Sequence, residues 1–154
     1  MNRISRAVIL FIAQGAYSGK SPFAPGTAGT LVGVLLYWGI KDLPPLSYGI
    51  FCVLVCLLGT WAAGRAERFL GCKDCPSIVI DEIAGYLIAM FLIPVDWYTV
   101  ISAFLLFRFF DIVKPWPLQD LQKIKGGPGV MIDDIGAGVY TNLVLRVSVL
   151  FLAS

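Results

Sequence analysis

Charged side chains in this sequence collect at the ends of long apolar runs and are almost absent inside them. That placement limits the fold more than any single motif does. Five apolar runs cover residues 25–40, 47–64, 77–94, 98–110 and 133–152. None alternates apolar and polar residues with a period of two, and each is rich in leucine or β-branched residues over a helical length. The expected fold class is all-α: a membrane-embedded helical bundle of about five apolar helices. An N-terminal amphipathic helix over residues 3–17 precedes them, with Ile4, Val8, Phe11 and Ile12 behind Arg3 and Arg6. Several runs fall short of the ~20 residues that a perpendicular crossing needs, the first and fourth most of all.

Composition points to lipid as the solvent. The chain is 58% hydrophobic and 14% charged, with a mean hydropathy of +0.81, where a soluble domain carries about 25% charged residues. Its 154 residues suit a single domain, 1–154. There is no histidine, which removes the commonest acid–base group and a common zinc ligand. Cys52 and Cys56 sit within an apolar run and are expected to pack as small hydrophobes. Cys72 and Cys75 form one Cys-x-x-Cys without a second pair, a weak sign of zinc. Gly15, Gly19, Lys20 and Ser21 imitate a P-loop but are one residue short, follow no strand and run into Pro22.

If all five runs cross a membrane, alternating directions sort the charges. One face receives Arg3, Arg6, Lys20, Arg65, Arg68, Lys73, Arg108, Lys114, Lys123 and Lys125; the other receives Lys41. The positive-inside rule makes the rich face cytoplasmic. Tyr37, Trp38, Tyr48, Trp97 and Tyr98 fall near the opposite face, as an aromatic belt would. The same alternation brings Asp81, Glu82, Arg108, Asp111, Lys114, Asp133 and Asp134 together at the cytoplasmic face.

Five carboxylates without histidine make a hard-oxygen site suited to Mg2+, with manganese as a substitute. Arg108 and Asp111, three apart, are helical neighbours. Asp81 and Glu82 stand about a quarter-turn apart, which leaves one as a ligand and the other as a supporting group or base. Gly26, Gly29, Gly126, Gly127 and Gly129 are candidates for letting backbone amides approach an anion, and Pro25-Gly26-Thr27 at a helix start is a candidate phosphate cradle. A divalent ion and a phosphate at a membrane face suggest lipid phosphate chemistry. The histidine-based phosphatases are excluded by composition. The Cys-x5-Arg enzymes are excluded because Leu58, Ala62, Ile78 and Asp81 occupy the sixth position after each cysteine. An Asp-x-Asp motif and the signature of the CDP-alcohol transferases are also absent. A metal-positioned water attacking a phosphomonoester remains, with Arg and Lys neutralising charge. The rival class is a transporter or channel-like protein; its charges belong near mid-membrane rather than at one face.

The stretches SPFAPGTAGTLVG, SIVIDEIAGYLIAM, FRFFDIVKPWPLQDLQ and GGPGVMIDDIGAGV resemble, in order, the motifs of bacterial phosphatidylglycerophosphatase A. The resemblance covers Ser21 to about Asn142. It implies helices surrounding a central one and a Mg2+-dependent enzyme of the bacterial cytoplasmic (inner) membrane. That enzyme is multi-pass, faces its site to the cytoplasm, and converts phosphatidylglycerophosphate to phosphatidylglycerol and inorganic phosphate. Asp81, Glu82, Asp133 and Asp134 are the expected metal ligands. Asp81, Glu82, Asp111 and Asp134 are the expected catalytic groups. Arg108, Lys114, Thr27 and Thr30 are expected on the substrate phosphate. The partners are the lipid substrate and the membrane, with no nucleic acid; oligomeric state is left open.

Overall fold

Proline opens two of the long helices. Pro25 and Pro45 stand at first-turn positions, where a missing N–H costs nothing and the fixed φ suits a helix. In the computed structural model, which describes residues 3–121 and 123–152, they begin α2 (Pro25–Ile40) and α3 (Pro45–Leu70), after α1 (Arg3–Ala13). Gly71 closes α3 in the left-handed conformation, φ 71°. Then follow α4 (Ile80–Ala89), α5 (Trp97–Val113), the single-turn α6 (Leu118–Leu121) and α7 (Gly127–Leu152). A capping box starts α5: Asp96 accepts from the Thr99 amide at 2.8 Å, and the Thr99 hydroxyl accepts from the Asp96 amide at 3.2 Å. No strand occurs among the described residues.

The all-helical class is as expected. By length and apolarity, α3 and α7 are the two described helices able to cross a membrane. They turn Leu54, Leu57, Leu143, Val147 and other large apolar side chains outward. The run at 77–94 departs furthest from expectation. Its helix, α4, has ten residues, of which eight are buried. It packs against α2, α3, α5 and α7, so its apolar surface is spent inside the protein. It is the central helix that the family resemblance implied.

What ends α4 comes from α7. The Asn142 side-chain amide donates to the carbonyls of Ala89 and Phe91 at 2.9 and 2.8 Å. Arg146 holds that amide through its Oδ1 at 2.7 Å and donates to Phe91 O at 3.1 Å. Carbonyls left open at the C-terminus of a helix in an apolar interior need such donors. Asn142→Ala is expected to lower stability by about 1–3 kcal/mol, because buried carbonyls lose their donor. Thermal unfolding in detergent is the measurement.

The end of the bundle beyond α4 gathers aromatic rings, though not simply as a belt. Trp38 near the end of α2 meets Trp97 at the start of α5, ring centroids 5.1 Å apart. Trp97 and Tyr98 are exposed, whereas Tyr37 and Tyr48 are buried, the Tyr48 hydroxyl donating to Leu87 O at 2.8 Å. Those two tyrosines belong to the core because their rings meet edge to face, centroids 6.4 Å apart, and Tyr37 meets Tyr86 of α4 in the same way. The helix α1 leans on α3, with Arg6 donating to Phe69 O at 3.0 Å, and leaves Ile4, Val8 and Phe11 exposed.

Candidate active site

Asp81 and Glu82 lie in the first turn of α4, where carboxylates suit the positive end of the helix. Two glycines let α7 come alongside. A Cβ on Gly138 would strike the Gly85 carbonyl, and one on Gly85 would lie 2.6 Å from the carbonyl oxygen of Asp134. With those side chains missing, Asp81, Glu82 and Asp134 each offer one oxygen to a group whose members all lie within 4.8 Å of one another. The quarter-turn between Asp81 and Glu82 does not keep either out, since their side chains converge where their Cα positions do not.

The remaining charges flank this group. Arg108 on α5 donates from Nη1 to Asp111 Oδ2 at 2.5 Å, the pair that the i, i+3 spacing anticipates, and the same Nη1 stands 3.8 Å from Glu82 Oε1. Asp133 lies outside the group and forms an ion pair with Lys114. Lys114 follows the last turn of α5 in a left-handed conformation, φ 45°. Burial pulls its pKa down, but the bond to Asp133 and the charges of Asp133, Asp134 and Asp111 outweigh burial and raise it.

Five carboxylates face two cations, which leaves an excess of three negative charges. Asp81, Asp133 and Asp134 are 8%, 4% and 3% exposed. Buried Asp81 Oδ1, Glu82 Oε2 and Asp133 Oδ1 accept no hydrogen bond, and Arg108 Nε donates none. Unpaired buried carboxylate oxygens are costly unless a cation answers them. Their all-oxygen chemistry fits a hard divalent ion such as Mg2+, and the open Nε fits an anionic oxygen beside it. Among the described residues, this is the one group of acidic, histidine or cysteine side chains placed to hold a metal.

The family model for phosphatidylglycerophosphatase A matches residues 11–149. The chain belongs to that family. Family members from Escherichia coli and Haemophilus influenzae, both named phosphatidylglycerophosphatase A, are 37% and 39% identical to it. These matches cover 83% and 89% of this chain and 76% and 86% of theirs. A Bacteroides thetaiotaomicron protein named "Putative phosphatidylinositol-3-phosphatase" is 40% identical over 90% of this chain and 92% of its own. No solved structure gives a significant match. As a member of the phosphatidylglycerophosphatase A family the protein is a phosphatase, and the transporter alternative falls away.

In this phosphatidylglycerophosphatase A fold, α2 brings its first turn to the acidic group. A Cβ on Gly26 would meet Glu82 Oε1 and lie 3.0 Å from Arg108 Nη1. Thr27 beside it is half-buried. Thr30 is fully buried and its hydroxyl donates to Gly26 O at 2.9 Å, so that donor is already used within the helix. Gly127 and Gly129 were candidates for an anion cradle. Instead the space beside them is filled by the carbonyls of Thr60 and Ile124, so they serve close packing. Cys72 and Cys75 form a disulfide in the loop between α3 and α4, and Cys52 is a buried free thiol. Sequence reasoning missed Gly85, Gly138 and Asn142. Small residues four or more apart in an apolar helix were the available signal for the glycines.

Gly85→Ala tests how closely the helices must approach. The added methyl must displace both the Asp134 backbone and the Phe107 ring. It is expected to destabilise the protein by about 1–3 kcal/mol and to lower phosphate release by separating Asp134 from Asp81. Thermal unfolding and phosphate release from the same preparation measure the two effects.

Proposed function

We propose that the protein hydrolyses the terminal phosphate of phosphatidylglycerophosphate, giving phosphatidylglycerol and inorganic phosphate, in glycerophospholipid biosynthesis. It acts with Mg2+, as one multi-pass domain spanning residues 1–154, at the bacterial inner membrane with its site facing the cytoplasm. The observation that carries this reading is the convergence of Asp81, Glu82 and Asp134 beside Arg108, in a member of this family.

Asp81, Glu82 and Asp134 would hold the ion, with Asp133 available as a further ligand. When bound, Mg2+ supplies charge neutralisation at the phosphoryl group and lowers the pKa of a water. Arg108 and Lys114 take the phosphate oxygens, assisted by Thr27 and the open first turn of α2. To do so they exchange partners: the phosphate replaces Asp111 on Arg108 and Asp133 on Lys114. Asp111, freed from its pair, or Glu82 accepts the proton of the attacking water. A bond forms between the water oxygen and phosphorus while the bond from phosphorus to the glycerol oxygen breaks. The leaving oxygen gains a proton from solvent while the carboxylate returns its own to solvent, and the acyl chains stay in the bilayer throughout.

A second substrate, phosphatidylinositol 3-phosphate, is favoured by the relative at 40% identity, which is named a putative phosphatidylinositol-3-phosphatase. Phosphate release by the purified protein from both lipids, in mixed micelles with Mg2+, separates the two. Faster release from phosphatidylglycerophosphate is expected. Faster release from phosphatidylinositol 3-phosphate would transfer the assignment to the inositol lipid, and release from neither would remove both.

A further inference from the structure

The flank of α7 that packs on α3 carries a polar cavity, separate from the acidic group. The two helices touch closely there, since a Cβ on Gly64 would lie 3.1 Å from the Gly127 nitrogen. Beside that contact opens a cavity of about 360 Å3 whose wall includes Trp61, Arg65, Arg68 and Lys125. All four side chains are exposed. None of the three cations forms an ion pair among the described residues, and Arg65 lies against the Trp61 ring at 5.8 Å. The one acid on the wall, Glu67, already accepts the Asp74 amide at 2.7 Å.

The cavity continues an apolar track on α3. Leu54, Leu57, Leu58 and Trp61 are exposed large apolar side chains, and Arg65 and Arg68 follow. Leu57 and Leu58 each lie three or four residues from both Leu54 and Trp61, and Arg65 and Arg68 follow at steps of four and three, which puts them all on one helix face. From Leu54 to Arg68 the helix rises about 21 Å, which is half of the 40–45 Å spanned by a bilayer with its headgroups. One leaflet's worth of helix therefore reads apolar, then indole, then guanidinium. That is the profile of a phospholipid with a negatively charged headgroup, and basic pockets between membrane helices bind such headgroups.

We propose that this track is a binding site for an anionic phospholipid other than the substrate. Its phosphate lies against Arg65, Arg68 and Lys125, and one acyl chain lies along Leu54, Leu57 and Leu58. The site rests on α3 lying in a bilayer and not on the phosphatase chemistry at the other flank of α7.

Native mass spectrometry of the detergent-purified full chain, titrated with phosphatidylserine or phosphatidylcholine, tests it. Neither lipid carries a phosphomonoester, so the acidic site does not decide the result. The wild type is expected to retain phosphatidylserine at about one tenth of the concentration needed for phosphatidylcholine. The variant R65A/R68A/K125A should lose that preference. The variant K20A/K73A/K123A, with the same change in net charge at the same end of the molecule, should keep it. Equal loss in both variants would mean diffuse attraction, and no preference in the wild type would mean no site; either overturns the proposal. So would a dimer that R65A/R68A/K125A dissociates, since the face would then belong to a second copy of the chain. If the triple variant does not fold, Arg65→Gln and Lys125→Gln, tested singly, should each reduce the preference about twofold; an unchanged preference in both overturns the proposal as well.

Discussion

Chelation of divalent ions will abolish phosphate release, and Mg2+ added back alone will restore it. The expectation follows from the imbalance at the acidic group, where five carboxylates have two cations for company. Three carboxylate oxygens are buried without a donor. Leaving them so is expensive, and a protein that meets the expense carries a site for something positive. The same imbalance gives a readout that does not depend on turnover. An ion that binds only the folded state stabilises it by about 2.7 kcal/mol at a hundred times its dissociation constant. Unfolding in detergent should therefore move to higher temperature as Mg2+ is added, whether or not substrate is present. Undiminished turnover in chelator, with no thermal shift on adding Mg2+, would remove the metal from this site.

Asp134→Asn and Asp81→Asn form the second test. Each replacement keeps the shape of the side chain and removes its charge. Losing one electrostatic element of a preorganised site typically costs about 10²–10³ in rate, and a ligand lost from a three-carboxylate group belongs at the upper end. Recovery of folded protein should stay near the wild-type level, because the variants relieve repulsion among acids that face one another. Asp120→Asn is the matched control. Its carboxylate pairs with Lys123 in an exposed position, where such pairs contribute little, so activity should not change. Full activity in Asp134→Asn and Asp81→Asn would exclude both residues from the chemistry.

The acidic group was legible because charge at the edge of an apolar run has few places to go. Alternating the runs put Asp81, Glu82 and Asp134 at one end, and the structure puts them in one cluster. That outcome did not need α4 to cross a membrane. The segment from Met90 to Asp96 completes the traverse in irregular backbone, so α5 still begins at the opposite end, against α2. The extent of α4 was not legible, since the run at 77–94 contains no proline before Pro94. Its stop is written some fifty residues later, in Asn142 and Arg146. The pairing of Arg108 with Asp111 could be read from local spacing. The pairing of Lys114 with Asp133 could not, because it depends on how the turn after α5 returns the chain to α7.

The polar clamp on Ala89 and Phe91 turns α4 into a spacer of fixed length. One end is tied to the carbonyl-binding pair on α7, and the other presents acids to a neighbour on that same helix, eight residues before Asn142. Ten residues rise about 15 Å, and one more would rotate everything beyond it by roughly 100°. An insertion or deletion within α4 must therefore break either the clamp or the acidic group, while point changes on its flanks need break neither. This short helix is a ruler against which the depth of the acidic group is set.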